Sequence, residues 1–135
     1  MALPDLSNAT ETLELPRAGV RVAQPQVITT FVNALQSSAP PERSILALPY
    51  QPMFYFLCDR RNPTRWNYLW PGDQTTEDHQ HLVEQAERDP PEVALLGRED
   101  DLAAYAPTIT QYIEDKYVHT GNFGNLAIYL RRPPN

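Results

Sequence analysis

Ser44-Ile45-Leu46-Ala47-Leu48-Pro49 and Val93-Ala94-Leu95-Leu96-Gly97 are the two stretches that decide the fold. Each holds a short, unbroken apolar run. A proline stops the first and a glycine breaks the second. A strand with one wet face alternates apolar and polar residues, whereas a short run without alternation suits a strand buried on both faces. Between them lies a helix. Thr75 or Thr76 can cap it, Glu77 and Asp78 sit in its first turn, and Leu82, Val83 and Ala86 form its apolar side before Pro90-Pro91 ends it. Two buried strands joined across a helix predict a parallel pair in one sheet.

Outward from this unit the same alternation continues. Residues 1–9 read as a flexible arm, and Thr10–Leu15 and Ala18–Val22 as edge strands or extended segments. Pro25 fits a first helical turn, and Val27, Ile28, Phe31, Val32 and Leu35 recur at helical spacing over residues 25–37. Pro52 opens a short helix through Met53–Cys58, and Pro107 starts a helix with Ile109, Tyr112 and Ile113 on its inner face. Tyr117–Thr120 and Leu126–Leu130 flank a Gly/Asn-rich turn and read as a hairpin. The 14 prolines mostly punctuate element boundaries, where a missing N–H costs least. The expected fold is α/β: a three-layer, Rossmann-like arrangement with a mostly parallel sheet and a C-terminal antiparallel hairpin. Residues 10–132 form the single domain and residues 133–135 a tail.

Composition limits the function. The 135 residues suit one modest core, and 41% apolar with 21% charged is ordinary for a globular chain. A net charge of −6 repels phosphate at long range, so no nucleic-acid partner is expected. One cysteine, Cys58, excludes an internal disulfide and reads as a packed thiol. No run approaches the ~20 apolar residues that cross a bilayer.

Catalytic signatures are missing from the sequence. No glycine-rich phosphate loop and no GxSxG elbow occur, so no nucleotide cofactor is expected. His79 and His81 point about 200° apart on a helix and cannot share a ligand; both read as solvated positions. Glu99-Asp100-Asp101 reads as a helix cap or a solvated acidic run.

Residues 49–72 carry the most information. Tyr50, Phe54, Tyr55, Phe56, Trp66, Tyr68 and Trp70 are interleaved there with Arg60, Arg61 and Arg65. Arginine among aromatic rings is the composition of carbohydrate, phosphate or protein recognition surfaces. It equally suits a stiff, proline-pinned loop packed over a sheet edge. Arg65 is expected to satisfy nearby carbonyls or carboxylates with its stem on Trp66 or Tyr68. Arg60 is expected to project into a solvent-filled crevice beside Tyr50 or Tyr55.

Pro49-Tyr50, Phe54-Tyr55-Phe56-Leu57, Arg60, Asn62-Pro63-Thr64-Arg65 and Pro71-Gly72 resemble the extramembranous C-terminal domain of bacterial polytopic glycosyltransferases. The family is of the dolichyl-phosphate-mannose–protein mannosyltransferase type, with a GT-C membrane core. Tyr105-Ala106-Pro107 and the ending through Ile128-Tyr129-Leu130-Arg131-Arg132 extend the resemblance over residues 17–132. It implies a non-catalytic accessory domain at the extracytoplasmic face of the bacterial membrane. Such a domain would support a membrane active site that uses polyprenyl-phosphate sugars, or help bind acceptor, with the membrane-embedded core as partner. No catalytic residue carries over, because that family keeps its carboxylate in a membrane-proximal loop with no counterpart here. A second reading is a stand-alone small-ligand or glycan-binding module. Its crevice would lie at the strand C-termini, where open sheets place ligands, lined by Tyr50, Tyr55, Arg60, Arg65, Arg98 and Asp100.

Overall fold

A computed structural model describes the backbone of residues 9–15, 18–23 and 25–133, with side chains from residue 28 onward. Within the N-terminal arm expected over residues 1–9, residues 1–8 lie outside the described residues, as do residues 134–135 of the tail. Strands β1 (Ala9–Leu15) and β2 (Ala18–Ala23) pair antiparallel as a separate two-stranded sheet. Helix α1 (Pro25–Ser38) follows, then β3 (Ile45–Leu48), α2 (Pro52–Cys58), α3 (Thr76–Arg88) and β4 (Val93–Gly97). The chain continues through α4 (Glu99–Tyr105), α5 (Pro107–Lys116), β5 (Tyr117–Phe123) and β6 (Leu126–Arg131).

The main sheet has the order β3-β4-β6-β5. β3 and β4 run parallel in the register Ile45↔Val93 to Leu48↔Leu96, as their uninterrupted apolar runs predict. β4–β6 and β5–β6 are antiparallel. The sheet is therefore mixed, not mostly parallel, and its topology does not carry the Rossmann-like comparison further. The chain makes one parallel crossover. The hairpin β5–β6, turning at Gly124 with φ 59°, then inserts β6 beside β4, where another parallel strand would otherwise lie.

Both faces of the parallel pair are covered, which is why β3 and β4 are buried at every position. Ile45, Ala47, Val93 and Leu95 pack with Ile28, Phe31, Val32 and Leu35 of α1 and Phe54 and Leu57 of α2. Leu46, Leu48, Ala94 and Leu96 pack with Leu82 and Ala86 of α3, Leu102 of α4, and Ile109 and Ile113 of α5. A fully buried leucine or isoleucine contributes about 1.5–3 kcal/mol, so Leu46 and Leu48 on one face and Ile45 on the other outweigh the brevity of a four-residue strand.

Local chemistry sets the helix ends. Thr75 caps α3 by accepting from the Asp78 amide, and the Asp78 carboxylate accepts from the Thr75 amide. These reciprocal bonds satisfy two otherwise orphaned donors. The sequence presents the start of α4 as a helix cap or a solvated acidic run. Its Glu99, Asp100 and Asp101 occupy the helix's own first turn. His79 corrects a second expectation: it is 4% exposed rather than solvated, and burial holds its pKa below the usual histidine value. It lies three residues before Leu82 on the same helix and shares its inward face.

A polar cluster ties the far end of the second layer of packing together. The Glu87 carboxylate of α3 accepts from Arg131 of β6 (2.6 Å) and from the Tyr112 hydroxyl of α5 (2.7 Å). The Arg131 hydrogen bond is the main reason that Glu87 titrates below the usual carboxylate range. A carboxyl depressed on folding adds stability that is complete above its unfolded pKa and is lost as pH falls through the folded value. Glu87→Gln should therefore flatten the acid limb of the stability curve between about pH 5 and pH 3. Urea midpoints measured across that range check this; an unchanged limb would remove Glu87 from the acid response.

Candidate functional site

The segment 49–72 is a cover for the open side of β3, and its polar groups are organised by that task. The Ile45 amide donates to the Arg61 carbonyl (3.1 Å), and the Ala47 amide donates to the Tyr55 hydroxyl (2.8 Å). Asp59 closes α2 in the left-handed conformation at φ 53°. Asn62 then builds a turn of its own: its carbonyl oxygen accepts from the Thr64 amide and its amide donates to the Trp66 carbonyl. Leu69 returns the chain to the core at 1% exposed, and its amide donates to the Pro49 carbonyl at 2.6 Å. Tyr68 and Trp70 are thereby left on the surface on either side of a buried anchor.

Arg60 lies opposite to expectation, whereas Arg65 meets the ring and the carboxylate expected of it, but on the surface. Arg60 is buried, and its guanidinium donates to the carbonyls of Ala39 (2.7 Å), Cys58 (3.1 Å), Asp59 (3.1 Å) and Gln36 (3.3 Å). It joins the end of α1 to the end of α2 and does not face a crevice. Arg65 is exposed; its guanidinium lies 4.4 Å from the Trp66 ring centroid and 3.8 Å from Asp78. Arg61 forks onto Asp89 with bonds of 2.7 and 2.6 Å. Tyr55 is likewise structural, since its hydroxyl serves β3, and burial pushes its pKa well up. Cys58 is fully buried, and desolvation pushes its thiol up to about 12, as a packed, unreactive thiol requires.

A crevice of about 570 Å³ does open at the C-terminal ends of the parallel pair. Pro49, Tyr50 and Gln51 follow β3 on one side, and Leu69, Trp70 and Pro71 come from the covering loop. Arg98, Asp101, Ala104 and Tyr105 of the β4–α4 turn and of α4 form the opposite side. Of the residues expected from sequence, it brings together Tyr50 and Arg98. Tyr55, Arg60, Arg65 and Asp100 are not in its lining; Asp101 stands where Asp100 was expected. Gln51, Trp70 and Tyr105 were missed. Trp70 carried a signal, as the last ring of the aromatic–arginine stretch. Tyr105 carried none, because α4 was not recognised as a helix.

Two backbone features shape this crevice. Gly97 ends β4 where a Cβ would meet the Gln51 amide nitrogen at 3.1 Å, so the bare backbone lets Gln51 approach. Arg98 follows at φ 51°, a left-handed conformation uncommon for a residue with a side chain. Its Nε and Nη2 both lie 3.0 Å from Asp101 Oδ2. Burial raises the Tyr105 phenol while nearby Arg98 lowers it and Asp101 raises it, so the ring keeps its proton at neutral pH. Tyr50 and Trp70 are 65% and 58% exposed, the largest exposures among the big apolar side chains described. The lining supplies aromatic faces, an amide, a guanidinium and a carboxylate. It holds no serine, cysteine or histidine. Among the described residues no group of three or more His, Cys, Asp or Glu is placed to hold a metal.

Searches of protein-family models, of curated proteins and of solved structures each find no match to this chain. No helix among the described residues is long and apolar enough to cross a membrane.

The contrast between the two arginines is measurable. Arg60→Ala should cost about 2–4 kcal/mol, because four carbonyls lose a charged donor in a buried position. Arg65→Ala should cost less than about 1 kcal/mol, as befits an exposed charge. Urea unfolding of both variants checks the ordering, and equal losses would refute it.

Proposed function

We propose that this chain is a non-catalytic binding domain whose crevice at the C-terminal ends of β3 and β4 takes a glycan-class ligand. The observation that carries this reading is the crevice itself, with the exposed Tyr50 and Trp70 rings beside Gln51, Arg98 and Asp101. Ligand pockets combine a mostly apolar wall with a few polar groups that fix orientation, and their volumes fall at about 300–1,000 Å³. Aromatic rings accept the C–H face of a sugar, and the polar groups at the rim meet its hydroxyls.

We infer from the resemblance of residues 17–132 a domain that works beside a membrane glycosyltransferase using polyprenyl-phosphate sugars. In that setting it acts as an accessory domain on the extracytoplasmic side, with the membrane-embedded core as partner, and the crevice serves acceptor binding. Support for this setting comes from position: Pro49-Tyr50 and Pro71, which carry the resemblance, also line the crevice. A stand-alone glycan-binding module would use the same crevice in the same way.

Titration with mannotriose and maltotriose, followed by the Trp70 indole N–H resonance, tests the reading. Trp70→Phe assigns that resonance against Trp66. Saturable shifts of this resonance are expected, lost in Tyr50→Ala while the unfolding free energy changes by less than about 1 kcal/mol, since the Tyr50 ring is largely exposed. The domain should show no turnover of either sugar. Absence of any shift with neutral and acidic sugars alike would overturn the reading.

A further inference from the structure

The crevice discriminates by charge. An α/β crevice at strand C-termini ordinarily receives anions, because a helix N-terminus there directs free N–H groups and a positive dipole end at the ligand. Here the helix that opens on the crevice is α4, and its first turn carries Glu99, Asp100 and Asp101. Those carboxylates cancel the dipole's attraction for an anion. The one cation in the lining, Arg98, is already joined to Asp101 through Nε and Nη2, both at 3.0 Å. The crevice therefore presents a charge pair of no net sign within a chain of net charge −6.

Resting on the binding reading above, we propose that the ligand is an uncharged pyranose sugar and that the Arg98–Asp101 pair reads two adjacent hydroxyls of one ring. The pair is suited to this. Asp101 Oδ2 takes both contacts from Arg98, which leaves Oδ1 to accept from one hydroxyl. The remaining guanidinium N–H groups donate to the neighbouring hydroxyl. Both side chains are accessible at the crevice mouth, at 69% and 62% exposure, so hydroxyls reach them without breaking the pair. Arg98 has a left-handed backbone directly after Gly97, and its ion pair with Asp101 bridges that turn to the first turn of α4. Tyr50 and Trp70 then hold the apolar face of the ring, which a phosphate or carboxylate lacks. A phosphorylated sugar would bring its charge beside the Asp101 carboxylate.

The test sets mannotriose against a galacturonate trimer and inorganic phosphate, with the intact chain and with Asp101→Asn. The intact chain should bind mannotriose with an affinity that stays flat between about 50 and 500 mM sodium chloride. The two anionic probes should bind at least about tenfold more weakly at the lower salt concentration. Asp101→Asn frees the guanidinium and removes one carboxylate. It should weaken mannotriose at least about fivefold and strengthen the galacturonate trimer, a change of opposite sign that unfolding cannot produce. Preference of the intact chain for the anionic probes would overturn the charge assignment while leaving the glycan reading in place. Binding of no probe would overturn both, and equal weakening of all probes by Asp101→Asn would overturn the role of the pair.

Discussion

The Ala47 amide and the Tyr55 hydroxyl meet at 2.8 Å, and much of the molecule depends on that contact. β3 is an edge strand, yet its four side chains are fully buried. The outward N–H groups of such a strand are hidden from water, and an unpaired buried amide costs several times what a satisfied one contributes. Tyr55 and the Arg61 carbonyl answer this requirement from a segment that leaves the strand and turns back on it. The edge is closed by the chain's own side chain and backbone, which also removes it as a template for pairing with another molecule.

That constraint explains the composition of residues 49–72. To reach back over β3, α2 must be short, and its end must be held. Asp59 in the left-handed conformation and the four carbonyl contacts of Arg60 hold it. The Asn62–Thr64 turn then reverses the chain, and Leu69 anchors the return beneath Pro49. Arginines that read as recognition residues are thus divided between fastening helix ends and pairing at the surface. The rings left on the surface, Tyr50 and Trp70, stand at the mouth of the crevice because the anchor between them and the core is Leu69. Binding surface and edge cover are the same segment seen from opposite sides.

The crevice inherits its chemistry from this arrangement. β3 and β4 end together because they are parallel and in register, so Pro49–Gln51 and Gly97–Arg98 face each other across a narrow gap. Gln51 fits only because Gly97 has no Cβ. An acidic first turn on α4 gives that gap a charge balance different from a phosphate-binding site built on the same plan. The crevice and the charge pair therefore meet between one segment and one loop, and most of the segment's polar residues serve structural roles.

What the sequence by itself determined were features governed by neighbours along the chain. Unbroken apolar runs specified two strands buried on both faces, and their separation by a capped helix specified the parallel pair. Helical spacing after Pro25 and Pro107 specified α1 and α5, and the Gly/Asn turn specified the closing hairpin. Only the tertiary structure decided where that hairpin inserts, because a strand's pairing partner depends on which edge is free once the rest has packed. It also decided the burial of His79, which follows from the side of α3 that faces the sheet. The burial of Arg60 has the same origin. A guanidinium is buried when enough carbonyls converge on it, and those of Gln36 and Ala39 arrive from a helix more than twenty residues earlier in the chain. Spacing along a sequence reports faces and periods; it carries no distance between segments, and the bonds from Arg60 to the Gln36 and Ala39 carbonyls are distances of that kind.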